Sequence, residues 1–399
     1  MGALTGIRVA DLSAQIGGPY CTQLLADLGA DVVKVERPAP GGAQVAASPP
    51  TKGVDAYWSL LPLAVNRNKR SILLRLETLA GKETLADLLR VSDVVVENFS
   101  EHARHSLGID ERWAWGIKPD LIWASLSGYG RTGPDSARPG WDLLAQARGG
   151  FASFNGDPAG PPLKTGNSQA DYLSGLHLAV GILGSLIHRA RTGEGQLVDL
   201  ALLDSMVTSL DAFALWASVA GEIAQRGGNF HPTRTLPGFS LFPCADGHQA
   251  IVGVGPNFAK LCTLIGRPDL ATIPPGSDSE AREEHFRTAT EAIGHWTRSL
   301  TRAELGKTLD AEGIHNEPVQ DLGEMWSDPQ LEARDMFVEY DHAAYGRVRA
   351  VGSPLKLSAT PVEFRYSPPV PGEHTEEVLR DLLGYDAARI QKLKDEVSG

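Results

Sequence analysis

Ile7-Arg8-Val9-Ala10-Asp11-Leu12, Gly17-Gly18-Pro19-Tyr20-Cys21-Thr22-Gln23-Leu24-Leu25-Ala26-Asp27-Leu28-Gly29 and Asp31-Val32-Val33-Lys34-Val35-Glu36 follow one another near the N-terminus. The first reads as a short buried strand. The second has helical spacing from Tyr20 to Leu28 and stops at Gly29. The third is a strand closed by Pro38. Strand, helix, strand is the βαβ unit, which builds a parallel sheet with helices on its faces. The alternation continues. Residues 71–76 read as a strand, 83–91 as a helix, and 93–97 and 121–125 as two further strands. A long helix is expected from Asp171 to Arg191, stopped by Thr192-Gly193-Glu194-Gly195. A strand follows at 196–200, and then a helix to about Gly221.

Beyond Gly227 the pattern changes. Residues 241–244 and 249–252 form a hairpin signal around Asp246-Gly247, and two charged amphipathic helices follow near 280–298 and 302–312. The expected organisation is α/β: βαβ units around a mainly parallel sheet in the first part, a small α/β domain over 227–325, and a return segment of short strands after it. The return ends in two helices, 375–383 and 386–397. The Pro- and Gly-rich stretch 38–50 is expected to be a loop that orders over a ligand.

The chain has 399 residues with 42% hydrophobic and 22% charged residues, an ordinary globular composition. Its net charge of −12 argues against a general nucleic-acid binder, since no positive excess exists to neutralise phosphates. The three cysteines, Cys21, Cys244 and Cys262, form no C-x-x-C pair and have no zinc spacing, and no metal is expected. Sparse cysteine fits a reducing cytoplasm. No signal peptide is read at the N-terminus. The apolar run 173–187 is shorter than a membrane span and reads as a buried helix, so no membrane is expected as a partner.

Gly17-Gly18-Pro19 occupies the turn where a dinucleotide fold would carry G-x-G-x-x-G, and no P-loop, H-E-x-x-H or G-x-S-x-G is present. Other segments are specific. They are Gly18 to Glu36, Asn66-Arg67-Asn68-Lys69-Arg70-Ser71-Ile72, Val96-Glu97-Asn98-Phe99, Ser127-Gly128-Tyr129-Gly130, Gly133-Pro134, Pro139-Gly140-Trp141-Asp142 with Gln146, the helix opened by Asp171, Asp246-Gly247, and Gly372-Glu373-His374-Thr375. In this order they resemble the class III CoA-transferase family.

The resemblance implies a large Rossmann-like CoA-binding domain over 1–220 that the return segment 326–399 completes. It also implies an acyl-CoA:carboxylate CoA-transferase with Asp171 as nucleophile, coenzyme A and acyl-CoA as substrates, no tightly bound cofactor, and an interlocked homodimer. Read by position alone, Asp171 is a helix N-cap. The family match places the transiently acylated carboxylate there, and a helix N-terminus favours its ionised form. Arg37, Lys69, Arg70 and Asn98 match positions that look like CoA contacts, with Arg104 a further candidate. Gln15, Ile16, Gly17, Trp141, Asp142, Gly253 and Gly255 are the expected substrate-pocket residues. The backbone amides of Gly17 and Gly18, or of Gly253 and Gly255, are candidate oxyanion donors. Asp142 is read as positioning the acceptor or a water, or as capping its own helix. His177 is read as a core histidine.

Two rival readings are set against this one. A 2-methylacyl-CoA racemase needs a histidine where this chain has Trp141, and tryptophan cannot exchange the proton. A CoA-binding protein without turnover is opposed by the retained Asp171. Oxalate is disfavoured as a substrate, because Ile16 stands where that branch has glutamine. The donor is expected to be an acyl-CoA such as succinyl-CoA, and the acceptor a carboxylic acid.

Overall fold

The computed structural model describes residues 1–38, 54–230 and 236–398. Most of the loop expected over 38–50 and part of the connection 221–240 lie outside the described residues. In chain order the elements begin β1 (Arg8–Asp11), α1 (Gly17–Asp27), β2 (Asp31–Glu36), α2 (Val54–Val65), β3 (Lys69–Leu73), α3 (Leu79–Arg90), β4 (Val94–Glu97), α4 (Glu101–Leu107), α5 (Glu111–Ile117), β5 (Ile122–Ser127) and α6 (Asp142–Arg148). They continue α7 (Phe151–Phe154), α8 (Gln169–Thr192), β6 (Leu197–Ala201), α9 (Leu202–Thr208) and α10 (Phe213–Ala220). Next come β7 (Phe239–Cys244), β8 (Gly247–Val252), α11 (Pro256–Leu264), α12 (Ser279–Thr297), α13 (Arg302–Ala311) and β9 (His315–Pro318). The chain closes with the hairpin β10 (Phe337–His342) and β11 (Gly346–Val351) and short terminal helices.

Two compact units result. One comprises 1–149, 165–209 and 330–399, and the other 150–164 and 210–329. The first holds a six-stranded sheet in the order β3-β2-β1-β4-β5-β6, with every pairing parallel. This is the α/β, Rossmann-like architecture. Its strands are near-continuous apolar runs because helices cover both faces. Val9, Ala10, Val33, Val94, Val95 and Val96 are fully buried, and each aliphatic side chain removed from water contributes on the order of 1.5–3 kcal/mol.

The strand order reverses between β1 and β4. The loops after these two strands therefore diverge and leave a crevice at their carboxyl ends. The return segment is stitched to this unit through Asn68, which adopts φ 63°. Its side-chain oxygen accepts from the amides of Arg365 (2.6 Å) and Tyr366 (3.1 Å), and its nitrogen donates to Asp27 (2.9 Å). The second unit is built on the antiparallel sheet β7-β8-β9 with its own core around Phe242, Ile251, Leu261 and Ile293.

Helix α8 departs from the sequence reading. It runs 24 residues and by length and composition would pass for a membrane span, yet only part of it is buried. Ala170, Ser174, Leu178, Ile182 and Ser185 face inward, while Leu176, Val180 and Ile187 are exposed along one stripe. The expected single helix to Gly221 is two helices, α9 and α10, and α2, α4 and α5 were not anticipated. The helices α4 and α5 are too short for a period to show, and α2 is a nearly continuous apolar run interrupted by Pro62.

Candidate active site

The site is built where α1 meets α8. Gly17 opens α1 and Asp171 lies in the first turn of α8. A methyl group on Gly17 would stand 2.7 Å from Leu126 Cδ2 and 3.4 Å from Asp171 Oδ1. A methyl group on Gly175 would stand 2.5 Å from the Gly17 carbonyl oxygen. The two glycines thus let the helices cross in backbone contact, and that crossing sets the Asp171 carboxyl beside the amino end of α1.

Asp171 is not the N-cap that position suggested. Ser168 is the cap, without a side-chain cap bond, and the N–H it leaves free is answered from another helix. Asp142 Oδ1 accepts from Ala170 N–H at 2.6 Å, so Asp142 caps α8 rather than its own helix. Its other oxygen accepts from Gln146 Nε2 at 2.7 Å. The i, i+4 spacing of Asp142 and Gln146, visible in the sequence, puts them on one helix face; only the fold reveals what that face holds.

The electrostatics of Asp171 also differ from expectation. A helix N-terminus favours the anion. Burial opposes it, and the Asp142 carboxylate adds like-charge repulsion, so the Asp171 carboxyl is pushed up to about 7. The desolvated position and the neighbouring anion outweigh the helix end.

From Gly17 the chain runs back through Gln15 into a cleft of about 770 Å³ at the switch point. Ser13, Ala14, Gln15, Lys34, Arg37, Phe99 and His102 are among its lining residues. Gln15 is exposed there with φ 66°, a left-handed conformation that costs a non-glycine residue roughly 1 kcal/mol and marks functional loops. Ile16 is buried as the N-cap residue of α1 and does not line the cleft. Asn98 acts on the same loop: its side chain accepts from Ala14 N–H at 2.9 Å and donates to the Ala14 carbonyl at 2.8 Å. It clamps the loop after β1 to the end of β4, and both ends of its amide are occupied by that task.

The expected basic contacts divide. Arg37 is at the cleft, exposed, and paired with Glu77 at 3.1 Å. Lys69 must be corrected: it is fully buried, and its ammonium donates to Asp11 (3.0 Å), the Pro19 carbonyl (2.8 Å) and Asn66 (2.8 Å), so all three protons are used internally. Burial lowers Lys69, and Asp11 partly restores it. Arg70 is held by Asp31 at 2.8 Å and Glu377 at 2.9 Å, away from the cleft lining. Arg104 is nearly buried and serves Ser125 and the buried Glu97, at 3.4 and 3.7 Å. The resemblance assigns these cations to the ligand, whereas the protein's own carboxylates claim them: buried Asp11 and Glu97 hold Lys69 and Arg104, and the partly exposed Asp31 and Glu377 hold Arg70.

Trp141, expected in the substrate pocket, is largely exposed (62%). Gly128 and Gly140 pack backbone to backbone, since a methyl group on either would come within 2.3 Å of the other, and this fixes the turn that presents Trp141 and Asp142. Gly253 and Gly255 belong to the other unit. The Gly253 amide donates to the Gly238 carbonyl at 2.7 Å and is not free to hold an oxyanion. His177 is only partly buried. The sequence reading missed Phe99, His102 and Asn66 as cleft residues; all three lie within or beside the quoted motifs.

The CoA-transferase family III model matches residues 4–375. The chain belongs to the class III CoA-transferases. It is 38% identical to the succinyl-CoA:mesaconate CoA-transferase of Haloarcula marismortui, with 97% of this chain and 98% of that protein aligned. It is 34% identical to the succinate–glutarate CoA-transferase of Agrobacterium fabrum, over 95% of each. Among solved structures, a CAIB/BAIF family protein from Brucella suis superposes with a TM-score of 0.82 at 30% identity, covering 96% of this chain and 99% of that one. This class III CoA-transferase is therefore an enzyme that moves CoA, and CoA thioesters are its substrates.

Proposed function

We propose that this transferase passes CoA from succinyl-CoA to a short dicarboxylic acid through covalent intermediates on Asp171. The observation that carries the reading is the Asp171 carboxyl itself: partly buried, set against Gly17 at the inner end of the cleft loop, and destabilised as an anion. A group held this way pays for reactivity, not for structure. The relatives that act on succinyl-CoA with mesaconate or L-malate, and on succinate with glutarate, support the substrate class.

In the first step ionised Asp171 attacks the thioester carbon. A carbon–oxygen bond forms, the carbon–sulfur bond breaks, and CoA leaves as thiolate from a mixed anhydride. The thiolate then attacks the aspartyl carbonyl. Succinate departs, and an aspartyl-CoA thioester remains. The acceptor carboxylate repeats both steps in reverse, and Asp171 is regenerated as carboxylate. Dividing the exchange this way replaces one difficult acyl transfer by easier ones. Each step builds an oxyanion that needs fixed donors. The Gly17 and Gly18 amides are suited to this, because the first N–H groups of a helix lack partners within it. The nucleotide end of CoA lies in the cleft, with Arg37 as a phosphate contact.

Homodimerisation fits the exposed apolar stripe of Leu176, Val180 and Ile187, which a second copy would cover. A cytoplasmic setting fits the three free cysteines. The test is acceptor-dependent loss of succinyl-CoA across a panel of mono- and dicarboxylates, run with the wild type and Asp171→Ala. New acyl-CoA formed with dicarboxylates by the wild type alone is the expected result. Equal turnover by the variant would overturn the reading.

A further inference from the structure

We propose that Asp142 is a positioning residue for Asp171: clamped from α6 onto the first turn of α8, it holds a second carboxylate fixed beside the nucleophile and so tunes how readily that nucleophile ionises. The proposal rests on Asp171 being the nucleophile. Its basis is geometric. An aspartate at the start of a helix ordinarily serves its own N–H groups. Asp142 reaches across to Ala170, the residue before Asp171, at 2.6 Å.

Asp142 is then locked from behind by Gln146, which is fully buried. Gln146 Oε1 accepts from Thr165 N–H at 3.0 Å, and its Nε2 also donates to the Thr165 hydroxyl at 2.9 Å. The Thr165 hydroxyl donates to the Asn167 carbonyl at 2.8 Å. The segment that leads into α8 is thus fastened to α6, and the Asp142 carboxylate cannot swing away from Asp171. Among the described residues no lysine or arginine pairs with Asp142, so its charge is spread over two N–H donors and not cancelled.

The groups facing the first turn of α8 come from four directions. Helix α1 brings Gly17, with Cys21 and the Tyr20 phenol further along, Tyr20 stacking edge-on against Tyr172 at 4.8 Å. Strand β5 brings Leu126. The 165–168 segment brings Thr165 and Asn167. Helix α6 brings Gln146 and Asp142. Asp142 is the one charged group among these whose field acts on Asp171, and it adds to the effect of burial.

The arrangement suits this chemistry. The incoming acceptor is an anion, and two adjacent anions would repel it. Whenever Asp171 is protonated, one charge is removed from the pocket. Before the first attack Asp171 loses one proton to solvent. In the acyl and CoA intermediates it is uncharged, so the acceptor meets the Asp142 charge alone.

The test is carbodiimide labelling of Asp171 against pH, read by peptide mass spectrometry, which detects the protonated carboxyl whether or not the enzyme turns over. The single-turnover rate of acyl-adduct formation is measured in parallel. Asp142→Asn keeps an oxygen for Ala170 and removes the charge. It should move the labelling midpoint, near 7 in the wild type, about one pH unit lower, and the acid limb of adduct formation should move equally. Should the asparagine variant not fold, Asp142→Ser, whose hydroxyl can also accept from Ala170, gives the same readout. An unmoved midpoint in a folded variant overturns the proposal, even if the rate falls, because a mere cap would do that. A wild type that labels at Asp171 but forms no acyl adduct there would instead overturn the nucleophile assignment, and with it any part for Asp142 in transfer.

Discussion

Asp11 and Asp171 are both carboxylates near the same end of one parallel sheet, and they are treated in opposite ways. Asp11 ends β1 and is fully buried. Burial alone would raise it. The Lys34 and Lys69 ammoniums and the Ser13 and Thr22 hydroxyls outweigh that and hold it far below the usual carboxylate range. The hydroxyl donors approach within 2.5 and 2.6 Å. Asp171 is less buried, yet its nearest charged neighbour is another carboxylate and it is raised to about 7. Burial pushes both carboxyls up: at Asp11 the cations and hydroxyls around it overturn that push, and at Asp171 the Asp142 carboxylate adds to it. The neighbours supplied by the fold make one an anchor and leave the other a destabilised anion, as the proposed nucleophile would be.

The sharpest way to break this contrast is to delete each carboxylate in turn. Asp171→Asn should lower CoA transfer by about 10³-fold or more with the fold intact, as measured in a steady-state transfer assay. Asp11→Asn should instead cost roughly 3–5 kcal/mol in denaturant unfolding, because it strands two buried ammoniums, while activity per folded molecule changes little. The stability that Asp11 contributes is present above its ordinary range and is lost only in strong acid, as pH falls toward its depressed value.

A third prediction turns on sign. A carboxyl raised by folding contributes stability that is fully present below about pH 4 and lost as pH rises to its folded value near 7. Asp171→Asn should therefore be more stable than the wild type by about 2 kcal/mol at pH 8, with the difference fading toward pH 4 in urea titrations. Equal stability at pH 8 would mean that Asp171 is not a destabilised group. Gly175→Ala places a methyl group against the Gly17 carbonyl and should cost about 1–3 kcal/mol and misalign the site, read as lower kcat. The smallest effect belongs to Arg37→Ala. Its exposed pair with Glu77 holds little stability, so unfolding should be unchanged while KM for the acyl-CoA rises severalfold.

How much was legible follows from the same contrast. Strands and helices on the sheet repeat short-range periodicity, so β1, α1, β2 and β4 stand in the sequence almost at their observed limits. Asp171 is singled out in the sequence by the resemblance alone. The positions of Lys69, Arg70 and Arg104 were not legible, since whether a cation meets a ligand or one of the protein's own carboxylates depends on which distant segments lie side by side. Lys69 reaches Asp11 across 58 positions of chain, through β2. Asp142 reaching Ala170 is likewise a long-range fact, hidden by the better local explanation that an aspartate caps its own helix.

The most direct measurement is peptide mass spectrometry of the wild type after brief incubation with succinyl-CoA, quenched with hydroxylamine. A hydroxamate on the peptide containing Asp171, absent from Asp171→Ala and formed faster as pH rises through 7, is the expected result. Modification confined to another residue, or an enzyme that transfers CoA with Asp171 never modified, would contradict the assignment of Asp171 as the nucleophile.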